Sequence, residues 1–359
     1  MIPIAKPQIG EEEKKAVLEV LDSGTIAQGP CVKAFEEKFA RMCGVKYAIA
    51  TTSGTTALHV ALLAHGIGPG DEVITSPFTF IASANSVLYT GAKPVFVDID
   101  PYTFNIDAKN IEAAITEHTM AIMPVHLFGL PCDMVPLIEL AEKYNLVIIE
   151  DACQAHGAEY KDKRVGSFGT GAFSFYPTKN ITSGEGGMIT TNAPIIDEKC
   201  RVIRQHGMRK RYYHDELGYN FRMTDIQAAI GIEQLKKLER FNEIRQANAK
   251  FLSTHLKGVV VPTVPEGCKH VYNLYTVRVP SGKRDALRIY LQERGVGSEV
   301  YYPVPIHRQT FYMKDLGYKQ SFSETERAAQ ELLSLPVHPA LSSADLEAIV
   351  ATINEFMAG

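Results

Sequence analysis

The segment FSFYPTKNITSGEGG, residues 173–187, places a lysine and a glycine-rich turn directly after a short apolar strand. Upstream lies the run LVIIEDA at residues 146–152, in which four aliphatic residues are followed by two carboxylates, Glu150 and Asp151. An apolar strand that ends in polar residues is typical of a parallel sheet covered on both faces, where functional side chains gather beyond the carboxyl ends of the strands. The two segments therefore predict an α/β fold with a site that includes Asp151 and Lys179.

Short apolar runs and helical stretches alternate along the first half of the chain. Strands are predicted at residues 47–51, 71–75, 95–97, 121–125, 146–150, 172–175 and 188–191, and helices at 55–65, 80–89 and around 139–141. Polar residues such as Ser53, His126, Asp151 and Lys179 follow these strands. We therefore expect a large domain with a mostly parallel sheet sandwiched by helices, and we expect these side chains at one edge of it.

The second half of the chain predicts a different organisation. Thr224, with Gln227 three residues later, indicates a capping box at the start of a long helix that runs to about Phe241. After residue 245 the pattern predicts strands at 259–261, 274–279 and 300–302 and helices at 284–294 and 343–356. The expected domains are thus a large one at residues 1–245 and a smaller C-terminal α+β domain at residues 246–359.

The composition is that of an ordinary globular protein, with 359 residues, 45% of them hydrophobic and 22% charged. A net charge of -4 without a dominant basic stretch argues against a nucleic-acid partner. No apolar run approaches the roughly 20 residues that span a bilayer, and the first residues lack the features of a signal peptide. The six cysteines contain no Cys-x-x-Cys pair, so we expect them to stay reduced in the cytoplasm. No metal-ligand spacing and no Gly-x-Gly-x-x-Gly segment near the N-terminus is present, so neither a metal nor NAD is predicted.

The residues at the predicted strand ends match the needs of pyridoxal 5′-phosphate (PLP), which are an amine for a Schiff base, an acid opposite the ring nitrogen and donors for the phosphate. Lys179 provides the amine, Asp151 the acid, and Gln154 a partner for the ring hydroxyl. The helix that opens at residues 53–56 offers N–H groups for a phosphate, and Ser174 offers a hydroxyl. Each of these residues alone has an ordinary structural explanation, such as a surface lysine or a helix N-cap. The prediction rests on the whole set.

The chain resembles the DegT/StrS-type nucleotide-sugar aminotransferases of the aspartate aminotransferase superfamily, which have the PLP transferase fold of type I. The resemblance covers essentially the whole length. It lies in an ordered set of motifs at residues 4–7, 23–30, 53–58, 68–75, 124–129, 150–152, 174–187 and 218–223.

The resemblance implies a role for each matching residue. Lys179 resembles the Schiff-base lysine, Asp151 the partner of the pyridinium nitrogen and Gln154 the partner of the ring oxygen. Phe80 matches the position that stacks on the ring, with Phe78 as the alternative. The residues that match phosphate-binding positions are Gly54, Thr55 and Ser174. Asn220 matches a residue that reaches the phosphate of the neighbouring subunit's cofactor, which implies a homodimer with shared sites. The residues that match a sugar-binding loop are Tyr302 and His307.

The resemblance also implies the reaction. L-Glutamate would give its amino group to the cofactor, and a nucleotide-linked keto-sugar would then receive it in a ping-pong mechanism through Lys179. A lysine at this position favours amino transfer over the dehydration catalysed by relatives that have histidine there. Residues 3–7 and 25–30 favour a 4-keto-6-deoxyhexose as the acceptor. A 3-keto sugar, a cyclic polyol ketone, another PLP-dependent reaction and a non-catalytic PLP-binding regulator remain alternatives.

Overall fold

The computed structural model describes all 359 residues of the chain. The α-helices are α1 (Glu11–Ser23), α2 (Pro30–Cys43), α3 (Gly54–Ala64), α4 (Ala82–Tyr89), α5 (Met134–Tyr144), α6 (Pro194–Arg204), α7 (Asp225–His255), α8 (Arg284–Glu293), α9 (Thr310–Lys314), α10 (Ser323–Glu331) and α11 (Ser343–Ala358). The strands are β1 (Tyr47–Thr51), β2 (Glu72–Thr75), β3 (Lys93–Phe96), β4 (Thr119–Met123), β5 (Val147–Asp151), β6 (Glu159–Tyr160), β7 (Lys163–Arg164), β8 (Thr170–Ser174), β9 (Gly187–Thr191), β10 (Met208–Lys210), β11 (Tyr213–His214), β12 (Cys268–Lys269), β13 (Tyr275–Arg278) and β14 (Leu332–Leu335). None of the helices combines the length and the apolar character that crossing a membrane requires.

The central sheet has seven strands in the order β1-β9-β8-β5-β4-β2-β3. The pairs from β8 to β3 are all parallel, and only β9 runs antiparallel to its neighbours β1 and β8. The predicted mostly parallel sheet is therefore confirmed. Because β1, β4, β5 and β8 point the same way, the segments that follow them leave the sheet at one edge.

Both faces of the sheet are covered by helices. Phe173 of β8 and Phe175, directly after the strand, point towards α2, where their ring centroids lie 4.9 and 5.5 Å from that of Phe39. Ala172, between a glycine and Phe173, belongs to the core on the opposite face with Leu58 of α3. Because successive side chains of a strand point to opposite faces, the aromatic residues lie on one face and small residues lie beneath α3 on the other.

Helix α7 begins with the predicted capping box. Thr224 Oγ1 accepts a hydrogen bond from the Gln227 N–H, and Gln227 Oε1 accepts one from the Thr224 N–H. The first residue of the helix, Asp225, also caps α2, because its carboxylate accepts three backbone N–H groups at the start of that helix at 2.8 to 3.1 Å. The predicted end near Phe241 is wrong, since α7 continues unbroken to His255. The proposed domain boundary at residue 245 therefore falls inside a helix.

The C-terminal part has its own core around the antiparallel pair of β13 and β14, covered by α8 and α11. The predicted helices there and the predicted strand at 274–279 are present. Two other predicted strands do not form, because residues 259–261 make only an isolated bridge from Val260 to Arg278 and residues 300–302 are irregular. The start of the chain belongs to the same region, since Ile2 pairs with Val296.

Candidate active site

Lys179 lies in the loop between β8 and β9, at the edge of the sheet predicted for the site. Burial lowers the pKa of Lys179 below its ordinary value, and the nearby Cys153 and Asp151 oppose this effect. A lower pKa increases the fraction of neutral amine, which is the form that attacks a carbonyl carbon. The environment of Lys179 is therefore suited to a lysine that forms a covalent bond with an aldehyde.

Asp151 ends β5 and is only 5% exposed. Its Oδ2 accepts a hydrogen bond of 2.6 Å from Ser83 Oγ, and its Oδ1 accepts one of 3.2 Å from the Cys153 N–H. Thr79 Oγ1 lies 3.0 Å from Ser83 Oγ, and because Ser83 gives its only proton to Asp151, Thr79 is the donor there. The two hydroxyls fix the orientation of the carboxylate. Sequence reasoning missed both, and their only signal is that they follow β2 at the same edge of the sheet.

The start of α3 packs directly on β8. A β-carbon on Gly54 would lie 2.6 Å from Ser174 Cβ and 2.9 Å from Cys153 Sγ, so only glycine permits this approach. Ser53 Oγ accepts the Thr56 N–H, whereas the first N–H groups of a helix have no acceptor within it. The structure thus brings Gly54, Thr55 and Ser174 together at a helix N-terminus, where the helix dipole favours an anion.

Gln154 connects two walls of the site. Its Oε1 accepts a hydrogen bond of 2.9 Å from the Phe128 N–H, and its Nε2 donates one of 3.2 Å to Tyr302 Oη. The Tyr302 ring centroid lies 6.2 Å from that of Phe80 and 6.3 Å from that of Phe78. Phe78 is 1% exposed and belongs to the core, whereas Phe80 is 55% exposed. Of the two phenylalanines, Phe80 is therefore the one free to cover a flat ligand.

Burial also raises the pKa of the Tyr302 hydroxyl above its ordinary value. This residue comes from the C-terminal part of the chain, so both parts contribute to the site. The structure places Tyr302 among the cofactor candidates, but its predicted contact with the sugar is not tested and stays a prediction.

Two predicted site residues lie apart from this group. Asn220 is exposed, and its Oδ1 accepts a hydrogen bond of 3.1 Å from Arg222 Nε. Its predicted role involves a second subunit, so a single chain does not test it. His307 is buried, with its Nε2 3.1 Å from Glu326 Oε1 and its ring packed edge-on against Phe322. Its role in sugar binding also stays a prediction.

His126 has a structural role beneath the site. Its Nδ1 accepts a hydrogen bond of 3.0 Å from the Cys132 N–H, so the ring proton lies on Nε2, which donates to Glu150 Oε2 at 3.1 Å. The buried Glu150 carboxylate also accepts three backbone N–H groups from residues 166–169 at 2.7 to 3.0 Å. The pair therefore anchors the turn that leads into β8.

Residues 7–354 match the model of the DegT/DnrJ/EryC1/StrS aminotransferase family. The chain is 46% identical to the pleiotropic regulatory protein of Geobacillus stearothermophilus, over 97% of this chain and 95% of that protein. It is 44% identical to the GDP-perosamine synthase of Caulobacter vibrioides, over 99% and 98% of the two chains. It is 39% identical to the dTDP-3-amino-3,4,6-trideoxy-alpha-D-glucose transaminase of Streptomyces venezuelae, over 98% and 94%.

Solved structures share the whole fold. The structure of S. venezuelae DesV in complex with a ketimine intermediate superposes with a TM-score of 0.94 and 38% identity, over 97% of this chain and 95% of that one. The structure of NtdA from Bacillus subtilis with the bound cofactor PMP has a TM-score of 0.92 and 33% identity, over 97% of this chain and 82% of that one. The NtdA structure thus holds PMP in the same fold. In this chain the corresponding fold contains Lys179, the Asp151 carboxylate and the N-terminus of α3, which suit such a cofactor.

Proposed function

Since the chain belongs to the DegT/DnrJ/EryC1/StrS aminotransferase family and is a PLP-dependent nucleotide-sugar aminotransferase, we propose that it transfers the amino group of L-glutamate to a nucleotide-linked keto-sugar through Lys179. The observation that supports this proposal most directly is the arrangement of Lys179, whose pKa is lowered by burial, with the fixed carboxylate of Asp151 and the helix N-terminus at Gly54. These groups are the amine, the acid and the phosphate donors that the cofactor needs.

We assign each contact to the cofactor as follows. The N–H groups of Gly54 and Thr55 and the Ser174 hydroxyl would bind the phosphate, and Phe80 would cover one face of the ring. The Phe128 N–H orients the Gln154 amide by donating to its Oε1, and the Gln154 NH₂ group would be the partner of the ring oxygen. When bound, PLP supplies an electron sink that stabilises negative charge on the carbon next to the transferred nitrogen.

The chain's own groups then handle the protons. Asp151, whose carboxylate is oriented by Ser83 and the Cys153 N–H, would keep a proton on the ring nitrogen. Lys179 would hold the cofactor covalently at rest, and its Nζ amine would act as the general base and acid that moves a proton during amino transfer. Because one lysine serves the donor and the acceptor in turn, ping-pong kinetics are expected.

The acceptor that we favour is a 4-keto-6-deoxyhexose, on the basis of residues 3–7 and 25–30. A 3-keto sugar is the second candidate, because the S. venezuelae relative is named for a 3-amino sugar. Purified protein with L-glutamate and each nucleotide-linked ketone would separate the two by the position of the new amine in the product. A cyclic polyol ketone serves as the third substrate in the same assay.

The absorbance spectrum of the purified protein, before and after L-glutamate is added, tests the cofactor, the lysine and the donor together. We expect a visible-wavelength band that glutamate removes with release of 2-oxoglutarate, and that Lys179→Ala lacks. A band that glutamate leaves unchanged would instead point to another amino donor, another PLP-dependent reaction or a PLP-binding regulator. The G. stearothermophilus relative is named a pleiotropic regulatory protein, which favours the regulator among these. A cytoplasmic location and the absence of nucleic-acid and membrane partners stay predictions.

A further inference from the structure

Both chain neighbours of Lys179, Thr178 and Asn180, make hydrogen bonds to residues distant in the sequence. Asn180 is 3% exposed, and its Nδ2 donates to Asn242 Oδ1 at 2.7 Å while its Oδ1 accepts from Asn273 Nδ2 at 3.1 Å. Asn273 Nδ2 also donates to the carbonyl of Thr178 at 3.3 Å. We call the three asparagines, Asn180, Asn242 and Asn273, the amide network. It holds both chain neighbours of Lys179, through the Thr178 carbonyl and the Asn180 side chain.

Asn242 brings α7 into this network. Its Nδ2 donates to the carbonyl of His156 at 2.9 Å, in the turn that follows Asp151 and Gln154. The next residue, Gly157, has φ +77°, and a β-carbon there would lie 3.0 Å from Asn242 Nδ2. Glycine therefore permits the close approach of α7 to the turn, and one amide joins α7, this turn and the loop of Lys179.

Asn273 belongs to a short segment, residues 271–274, that reaches the opposite wall of the site. Two N–H groups of this segment donate to the carbonyls of Phe128 and Gly129, at 3.2 and 3.0 Å. The Phe128 N–H in turn donates to Gln154 Oε1 at 2.9 Å. The same segment thus contacts the neighbours of Lys179 and the backbone that orients Gln154.

We propose that the amide network is a positioning device that holds Lys179 within reach of the cofactor's aldehyde, and that its three asparagines are positioning residues of the reaction. The inference rests on the proposed role of Lys179. In the step concerned, Nζ attacks the aldehyde carbon, a C=N bond forms, and the aldehyde oxygen leaves as water. The network touches none of these atoms. It fixes the backbone from which Nζ reaches them, and a displacement of about 1 Å can slow such a step about 100-fold.

The test compares Asn242→Ala with Asn248→Ala. Asn248 is a matched control because it is also buried on α7 and donates twice from Nδ2, at 3.3 Å to the carbonyls of Val337 and His338, but it lies outside the network. PLP at saturating concentration is added to each apo-protein, samples are reduced with borohydride at intervals, and mass spectrometry gives the fraction of chains labelled at Lys179. We expect the rate of labelling to fall about tenfold or more in Asn242→Ala and to stay within about twofold of wild type in Asn248→Ala.

The thermal midpoints of the two apo-variants show whether a general loss of stability explains the difference. If Asn242→Ala does not fold, Asn273→Ala replaces it in the comparison with Asn248→Ala, because this variant removes the hydrogen bond to the Thr178 carbonyl. Wild-type labelling in the folded network variants would overturn the inference while the role of Lys179 stands. Absence of labelling at Lys179 in the wild-type protein would overturn the proposed role of that lysine, and with it the inference.

Discussion

At the residue scale, the hydroxyl of Ser83 orients the carboxylate of Asp151. Ser83→Ala removes the donor to a carboxylate oxygen, and a hydrogen bond to a charged group contributes about 1.5–3 kcal/mol. We expect the affinity for PLP to fall about tenfold or more, measured by titration of the apo-protein. Ser86→Ala is the control, because Ser86 is equally buried on α4 but donates only to the carbonyl of Ser83. Equal losses in the two variants would contradict the role given to Ser83.

The lowered pKa of Lys179 predicts the pH dependence of cofactor attachment. Burial disfavours the ammonium form, so the reactive amine becomes dominant at a pH below the ordinary midpoint of 10.5. The rate of borohydride-trapped attachment should therefore rise with pH and level off before that value. A rate that still increases in proportion to hydroxide through pH 10.5 would show that the lysine is not desolvated.

At the element scale, the start of α3 depends on the missing side chain of Gly54. Gly54→Ala forces a β-carbon to within 2.6 Å of Ser174 Cβ, and such overpacking typically costs about 1–3 kcal/mol. We expect α3 to move away from β8 and PLP affinity to fall about tenfold. Gly68→Ala is the control, since the nearest atom to its new β-carbon lies 3.9 Å away. Unchanged affinity in Gly54→Ala would contradict a phosphate site at this helix.

Asp225 joins the N-termini of two helices. Asp225→Ala leaves three N–H groups at the start of α2 without their acceptor, and we expect a loss of about 2–3 kcal/mol in the free energy of unfolding. Denaturant titration measures it. Asp107→Ala, which removes the cap of a short exposed 3₁₀ helix, should cost well under half as much. A smaller loss at Asp225 than at Asp107 would show that the α2 contact is weak.

The sequence predicted the helices and strands whose buried residues are apolar. The prediction was wrong where the buried residues are polar. The strands of the main sheet were found within one or two residues because each is an apolar run. The end of α7 was missed because its buried face beyond Phe241 includes Asn242, Arg245 and Asn248. These side chains bond to backbone groups, so the apolar periodicity stops although the helix continues. The strand β14 was missed because it follows α10 without an intervening turn residue.

The candidate site was predictable to a similar extent. Asp151 and Lys179 were identified because they lie at or shortly after the ends of predicted strands, which the topology brings together. The amide network was not, since its hydrogen bonds join residues 62 and 93 positions apart and no local pattern marks them. Ser83 was missed for the same reason, because its partner Asp151 is 68 positions away.

At the scale of the whole molecule, the proposed homodimer with shared sites predicts complementation between two inactive variants. If Asn220 acts in the partner's site, a mixed dimer of Lys179→Ala and Asn220→Ala subunits has one site with both changes and one with neither. We therefore expect activity to return when the variants are unfolded and refolded together, but not when each is refolded alone. Failure of the mixture to regain activity, with mixed dimers present by mass spectrometry, would place Asn220 in its own subunit's site or outside it.

The pairing of Ile2 with Val296 has a consequence for how the chain is made. The first residues leave the ribosome long before their partner is synthesised, and the hydrogen bond from His338 Nε2 to the carbonyl of Pro3 must wait longer still. The N-terminal residues therefore stay unpaired through most of translation, and closing this long loop is a late event in folding. A fragment ending at residue 245 would lack these partners and would stop within α7.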